Sequence, residues 1–164
     1  MAVDIVLKIN SSPPIKGESS KVADGIDVLE WSWGLTQSAS AHVSTGAGSG
    51  SADVRDLTIK KWVDVASPVL IYSCFKGNDL KEAVLTVTKV GGTGGPIEMV
   101  KMTMYGTVFV SSVNTGQAEP GDRYSETITL NFAKVKFDYT GQKADQSKGA
   151  TVNSNEINIA LAAH

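Results

Sequence analysis

The sequence predicts a mainly β protein, an antiparallel barrel or sandwich of about seven strands with one short α-helix. Three observations carry this. Apolar and polar residues alternate in segment after segment, the period of a half-buried strand. Turn-forming stretches punctuate those segments, and glycine reaches 16 of the 164 residues. A helix signal, a Ser-Pro start closed by Lys-Gly, stands out once, in "SPVLIYSCFKG".

The first strand is "VDIVLKI". Val3, Ile5, Leu7 and Ile9 share one face, with Asp4 and Lys8 on the other. "SSPPIKGESSKVADG" then reads as a loop. In "IDVLEWSWGLTQ" the residues Leu29, Trp31, Trp33 and Leu35 fall on one parity, and Glu30, Ser32, Gly34 and Thr36 on the other. The tryptophans read as core anchors, with a ligand-stacking pair as the alternative. A Gly/Ser tract, "HVSTGAGSGSAD", separates this strand from "DVRDLTIKKW", where Leu57 and Ile59 face inward.

The helix follows, with Ser67 as N-cap, Pro68 as the first helical residue, Lys76 in the last turn and Gly77 just past the end. Leu70 and Cys74 share a face, as do Ile71 and Phe75. Cys74 reads as a small buried hydrophobe. "EAVLTVTKV" is a strand, "GGTGG" a turn, and "IEMVKMTMYGTVFVSSV" a long strand bent near Gly106. "NTGQAEPGD" reads as a polar loop. In "YSETITLNFAKVKFDY" Ile128, Leu130 and Phe132 hold one parity, then Val135, Phe137 and Tyr139 the other. That flip predicts a bulge near Ala133. A polar linker, "TGQKADQSKGA", precedes a last alternating segment, "NEINIALAA".

The length suits one domain over residues 1–164, with a projecting Gly/Ser loop at about residues 40–53. Hydrophobic residues make up 41% and charged residues 20%, which suits a globular chain and not a disordered one. A net charge of -2 argues against a nucleic-acid partner, because phosphate contacts need a basic surface. The lone cysteine forms no internal disulfide. The N-terminus lacks the basic region of a signal peptide, and no apolar run is long enough for membrane insertion.

Catalytic chemistry finds little support. His42 lies in the Gly/Ser tract and His164 at the last position, neither in a metal-ligand spacing or a plausible triad. "GAGSG" is not followed by the Lys-Ser/Thr or the helix that a phosphate loop needs. Glu119 and Asp122 flank a Pro-Gly turn without a calcium-loop pattern. The sequence therefore points to no enzyme, no cofactor and no metal.

Several segments, in order and spacing, resemble the haemolysin-coregulated protein (Hcp) family, the tube subunit of bacterial type VI secretion. They are "MAVDIVLKI", "IKGES", "IDVLEWSWG", the helix start "ASP", "VFVSSV" and "TLNFAKVKFDY", which together run from Met1 to Tyr139. The resemblance implies a barrel-like fold similar to phage tail-tube proteins. It also implies homohexameric rings that stack into a hollow tube, driven out by a contractile sheath behind a tube tip and carrying effector proteins. It implies synthesis in the cytoplasm and export without a cleaved signal peptide.

With that resemblance, Glu30, Ser32 and Thr36 are expected to face the lumen, opposite the tryptophans. His42, Ser44, Gly46, Gly48, Gly50 and Asp53 of the Gly/Ser tract are expected to contact a neighbouring subunit or ring, with Glu119 and Asp122 as a second contact. Two other readings stay open at this level. One is a monomeric β-sandwich module that stacks carbohydrate on its tryptophans. The other is the tail-tube protein of a phage-like contractile particle.

Overall fold

The structure, a computed structural model, describes residues 2–42, 50–90, 92 and 94–161. It is a curled antiparallel sheet, a half-barrel, with a single α-helix among the described residues. The strands are β1 (Val3–Ile9), β2 (Ile26–Asp27), β3 (Glu30–Ser32), β4 (Leu35–Gln37), β5 (Ala52–Val54) and β6 (Leu57–Trp62). After the helix α1 (Ser67–Lys76) come β7 (Ala83–Lys89), β8 (Ile97–Glu119), β9 (Arg123–Gln142), β10 (Lys148–Asn153) and β11 (Ile157–Asn158). The main sheet runs β2-β1-β7-β8-β9-β6-β3, with β10 and β11 also paired to β9. β4 and β5 form a separate two-stranded ribbon.

Alternation builds the core as expected. Leu7 faces Leu85 across β1 and β7, and Leu57 and Ile59 face Leu130 and Ile128 across β6 and β9. All six side chains are fully buried, together with Ile26, Leu70, Met102 and Met104. Burying each such side chain stabilises the fold by about 1.5–3 kcal/mol before the chain's entropy is counted.

The segment "IDVLEWSWGLTQ" is three short strands and not one. The backbone changes partner midway. Leu7 pairs with Ile26 and the Val28 N–H donates to Ile5 O (2.9 Å), but the Leu29 N–H donates to Lys60 O (2.7 Å) and Trp31 pairs with Ile59. One stretch of chain thus joins the two edges of the curled sheet. The change breaks the predicted parity. Ile26 and Val28 are buried, whereas Leu29 and Leu35 are exposed. Trp31 and Trp33 are half-buried, packed against the core through Phe137.

The predicted bulge lies opposite Ala133, with the extra residue on β8. Tyr105 pairs with Lys134 and Val108 with Phe132, so three steps on β8 span two on β9. Gly106 supplies the kink at φ +84, a conformation side-chain-bearing residues rarely adopt.

Two further corrections concern segments read as loops. Asn114–Glu119 continues β8, and only Pro120, Gly121 and Asp122 make the turn into β9. Polar composition masked a hairpin whose both faces are wet. The linker after Tyr139 supplies the end of β9 and the first three residues of β10, and the last alternating segment yields only β11 and a 3-10 turn, Ile159–Leu161.

The helix starts one residue earlier than its signal. Ala66 is the N-cap without a side-chain bond, because the Ser67 hydroxyl is committed elsewhere. Gly77 closes the helix at φ +66. Leu70 and Ser73 face inward. Ile71 and Phe75 do share a face, but it is exposed, and Cys74 is only partly buried.

Candidate assembly surface

β3, β6, β9 and β8 lie side by side, and their register fixes which residues share a face. Trp31, Ile59, Ile128 and Val113 stand in one row toward the core. The residues before and after them point the other way. Glu30, Lys60, Thr127 and Asn114 form one outward row, and Ser32, Thr58, Thr129 and Ser112 form another. The outer face is therefore small, polar and rich in hydroxyls. A depression of about 180 Å³ lies between Glu30, Ser32, Thr58, Lys60 and Thr127. That is below the size of a usual ligand pocket, so this face is a wall and not a pocket.

Glu30 and Ser32 stand exposed on this wall. Thr36 does not join them: it sits on the β4–β5 ribbon, directly opposite Asp53. The ribbon is closed by Ser38 and Ser51: the Ser38 N–H and hydroxyl donate to Ser51 O, and the Ser51 N–H donates to the Ser38 hydroxyl oxygen. Gly50 lies against Ala39 at its end, and His42 is exposed. Ser44, Gly46 and Gly48 lie outside the described residues. Asp122 occupies the hairpin turn at φ +57. Glu119 is no free loop carboxylate but the last residue of β8, 2.8 Å from Lys60 Nζ.

Three consecutive residues of β6 grip the end of the β8–β9 hairpin. On the outer face Lys60 Nζ donates to Glu119 Oε1, which also accepts from the Ser125 hydroxyl at 2.9 Å. These two bonds hold the Glu119 carboxyl below its ordinary range, and Glu119 in turn raises Lys60. On the core face Lys61 Nζ donates to Glu126 Oε1 (2.5 Å), Asp64 Oδ1 (2.9 Å) and Trp62 O (2.8 Å), with Ser67 Oγ 3.1 Å away. Burial pushes the Glu126 carboxyl up, but hydrogen bonds from Lys61, Ser67 and Thr115 outweigh it, and the net shift is downward. Next along the strand, the Arg123 guanidinium lies 4.0 Å over the Trp62 ring. The Val63 N–H donates to Tyr124 O at 2.9 Å.

Sequence reasoning passed over Lys61 and Glu126, yet a signal exists. Lys61 shares the inward parity of Leu57 and Ile59, and Glu126 that of Ile128 and Leu130. Opposite charges at inward positions of two strands point to a buried pair.

Other surfaces offer less chemistry. A cleft of about 470 Å³ lies between α1 and the loop at Ser11–Pro13. It holds Asp79 but no histidine, lysine or cysteine. Among the described residues no three His, Cys, Asp or Glu side chains gather as a metal site. No described helix is long and apolar enough to cross a membrane.

Comparison with known proteins agrees with this geometry. Residues 6–139 match the family model "Type VI secretion system effector, Hcp". Over 150 residues the chain is 44% identical to Protein hcp1 of Pseudomonas aeruginosa, covering 90% of each chain. Among solved structures, Hcp1 from Salmonella typhimurium superposes with a TM-score of 0.75 at 29% identity, over 99% of this chain and 98% of that one. A protein described as a type six secretion system protein superposes with a TM-score of 0.86 over 98% of both chains. At 24% identity that likeness speaks to the fold alone.

Proposed function

The chain belongs to the Hcp family of type VI secretion, and from that premise we propose that it is a structural tube subunit whose rings of six copies stack into a hollow conduit. The observation that carries this is the two-sided sheet. One face of β3, β6, β9 and β8 packs the subunit core, and the other presents hydroxyl and amide groups suited to a wet channel wall. The outer edge of β8 from Ser111 to Glu119 pairs with no third strand among the described residues. An open edge of this kind favours association with another copy.

In this reading Glu30 and Ser32 line the lumen, where effector proteins pass. Thr36 and Asp53, with His42 and Gly50, belong to an arm that contacts a neighbouring subunit or ring. So do Ser44, Gly46 and Gly48 by their place in the sequence, and the hairpin turn at Asp122 is a further contact. Effectors, the tube tip and the contractile sheath are its partners. Synthesis in the cytoplasm precedes export through the secretion machine, and the role is not enzymatic.

The carbohydrate-stacking alternative loses its platform. Trp33 already stacks on Phe137, with ring centroids 6.1 Å apart and planes at 16°, and the Trp62 ring carries Arg123. Native mass and negative-stain imaging of the purified chain test the assembly, with rings of six copies expected and a monomer overturning it. Ser32→Arg should leave rings intact but weaken protection of a bound effector. Normal protection would remove Ser32 from the lumen. Deleting residues 46–50 should leave a folded subunit that stacks poorly, and long tubes from that variant would refute the arm.

A further inference from the structure

We propose that Lys60, Lys61 and Trp62 work as a three-point clamp that fixes the direction of the β8–β9 hairpin end, and that a second copy of the chain recognises this end only when it is held. The proposal rests on the tube-subunit reading for its partner. The clamp itself rests on geometry. β6 is the last strand to support the hairpin, since β7 pairs with β8 only up to Met104. Beyond that point β8 and β9 support one another and β6 holds one side.

Each clamp residue takes a different part of the hairpin. Lys60 takes the far end of β8 through Glu119, 2.8 Å away on the outer face. Lys61 takes β9 through Glu126, 2.5 Å away on the core face. Trp62 lies under the Arg123 guanidinium at the start of β9. A bond on each face and a stacked cation resist bending in both directions perpendicular to the sheet. Backbone pairing to β6 ends at Ser125 and Tyr124, so the tip at residues 118–123 is a two-stranded ribbon, marginal in water by itself, whose direction rests on these side chains. A ribbon free to swing must surrender that freedom on association, so pre-fixing it strengthens the contact.

Lys60 is the point to test, because its pair lies on the outer face and its loss leaves the core untouched. Lys60→Met in the full chain should keep the wild-type far-UV spectrum. It should speed hydrogen exchange of the residue 114–124 amides at least fivefold and weaken the assembly at least tenfold, read by native mass against concentration. Lys60→Arg should restore both, as should the charge exchange Lys60→Glu with Glu119→Lys. Unchanged exchange in Lys60→Met would overturn the clamp. Faster exchange with undiminished assembly would overturn the link to a second copy. A wild-type chain that stays monomeric would sink the tube-subunit reading instead, and the exchange rates would then decide the clamp alone.

Discussion

Lys61 Nζ lies 2.5 Å from Glu126 Oε1, and both side chains are fully buried. An ion pair taken out of water in this way is costly to break from one side only, because the remaining charge has no solvent to return to. Glu126 Oε1 takes the bonds from both Lys61 Nζ and the Ser67 hydroxyl, so the carboxylate depends heavily on what that oxygen receives. Lys61→Met should therefore destabilise the subunit by about 3–5 kcal/mol in denaturant unfolding. The double variant Lys61→Met with Glu126→Leu should lose less than the single change, since it leaves no unpaired charge. Because the Glu126 carboxyl is held below its ordinary 4.5, its contribution is present above that pH and is lost as the pH falls through the lower folded value. Unfolding series below pH 4.5 should be flatter for the double variant than for the wild type.

Gly106 carries the bulge that lets the long hairpin curl. A Cβ there would sit 3.3 Å from the Ala133 Cβ, and the backbone stands at φ +84. Gly106→Ala should cost about 1–2 kcal/mol from the left-handed conformation alone, with the tight contact added. A lowered thermal midpoint checks it. An unchanged midpoint would mean that the β8 bulge relaxes without cost.

The strands that carry the core were legible because each keeps one partner set along its length. β6 and β7 alternate cleanly, β1 does so only at Leu7 and Ile9 because Val6 is buried as well and Val3 is exposed, and the flip between Phe132 and Val135 located the bulge to within one strand pairing. The Trp segment misled because its backbone leaves β1 for β6 between Val28 and Leu29, and a change of partner resets which side faces in. The distal hairpin misled for a different reason. Asn114–Glu119 is solvated on both faces, so it has no apolar alternation to reveal a strand. Of the expected lumen residues, Glu30 and Ser32 share a wall because β3 is regular there. Thr36 parted from them when the chain turned into a separate ribbon.

Helix α1 turns an apolar surface outward, which the i to i+4 spacing alone could not orient. Phe75 is 83% exposed and Tyr72 57%, whereas Leu70 is fully buried. Phe75→Ser should change unfolding free energy by no more than about 0.5 kcal/mol, as surface substitutions do. Leu70→Ala should cost about 2–5 kcal/mol because it opens a cavity under the helix. Matching losses for the two variants in chemical unfolding would contradict the packing described.

Tyr105 on β8 holds the C-terminal segment. Its hydroxyl donates to Glu156, just ahead of β11, and Lys134 Nζ lies 3.7 Å from the same carboxylate. The hydrogen bond to Glu156 is the main cause that pushes the Tyr105 phenol up to about 12, with burial and the carboxylate charge adding to it. The phenol therefore keeps its proton, and the tie, up to pH 10. The stabilisation is lost as the pH rises from there through the folded value. Glu156 is held below its ordinary range by the same bond, so its contribution is lost as the pH falls below 4.5. Tyr105 should ionise late in an ultraviolet titration. Glu156→Gln should bring it back toward 10 and speed hydrogen exchange in β10 and β11. A late-ionising tyrosine that persists in Glu156→Gln would show that the Tyr105–Glu156 bond does not hold this segment.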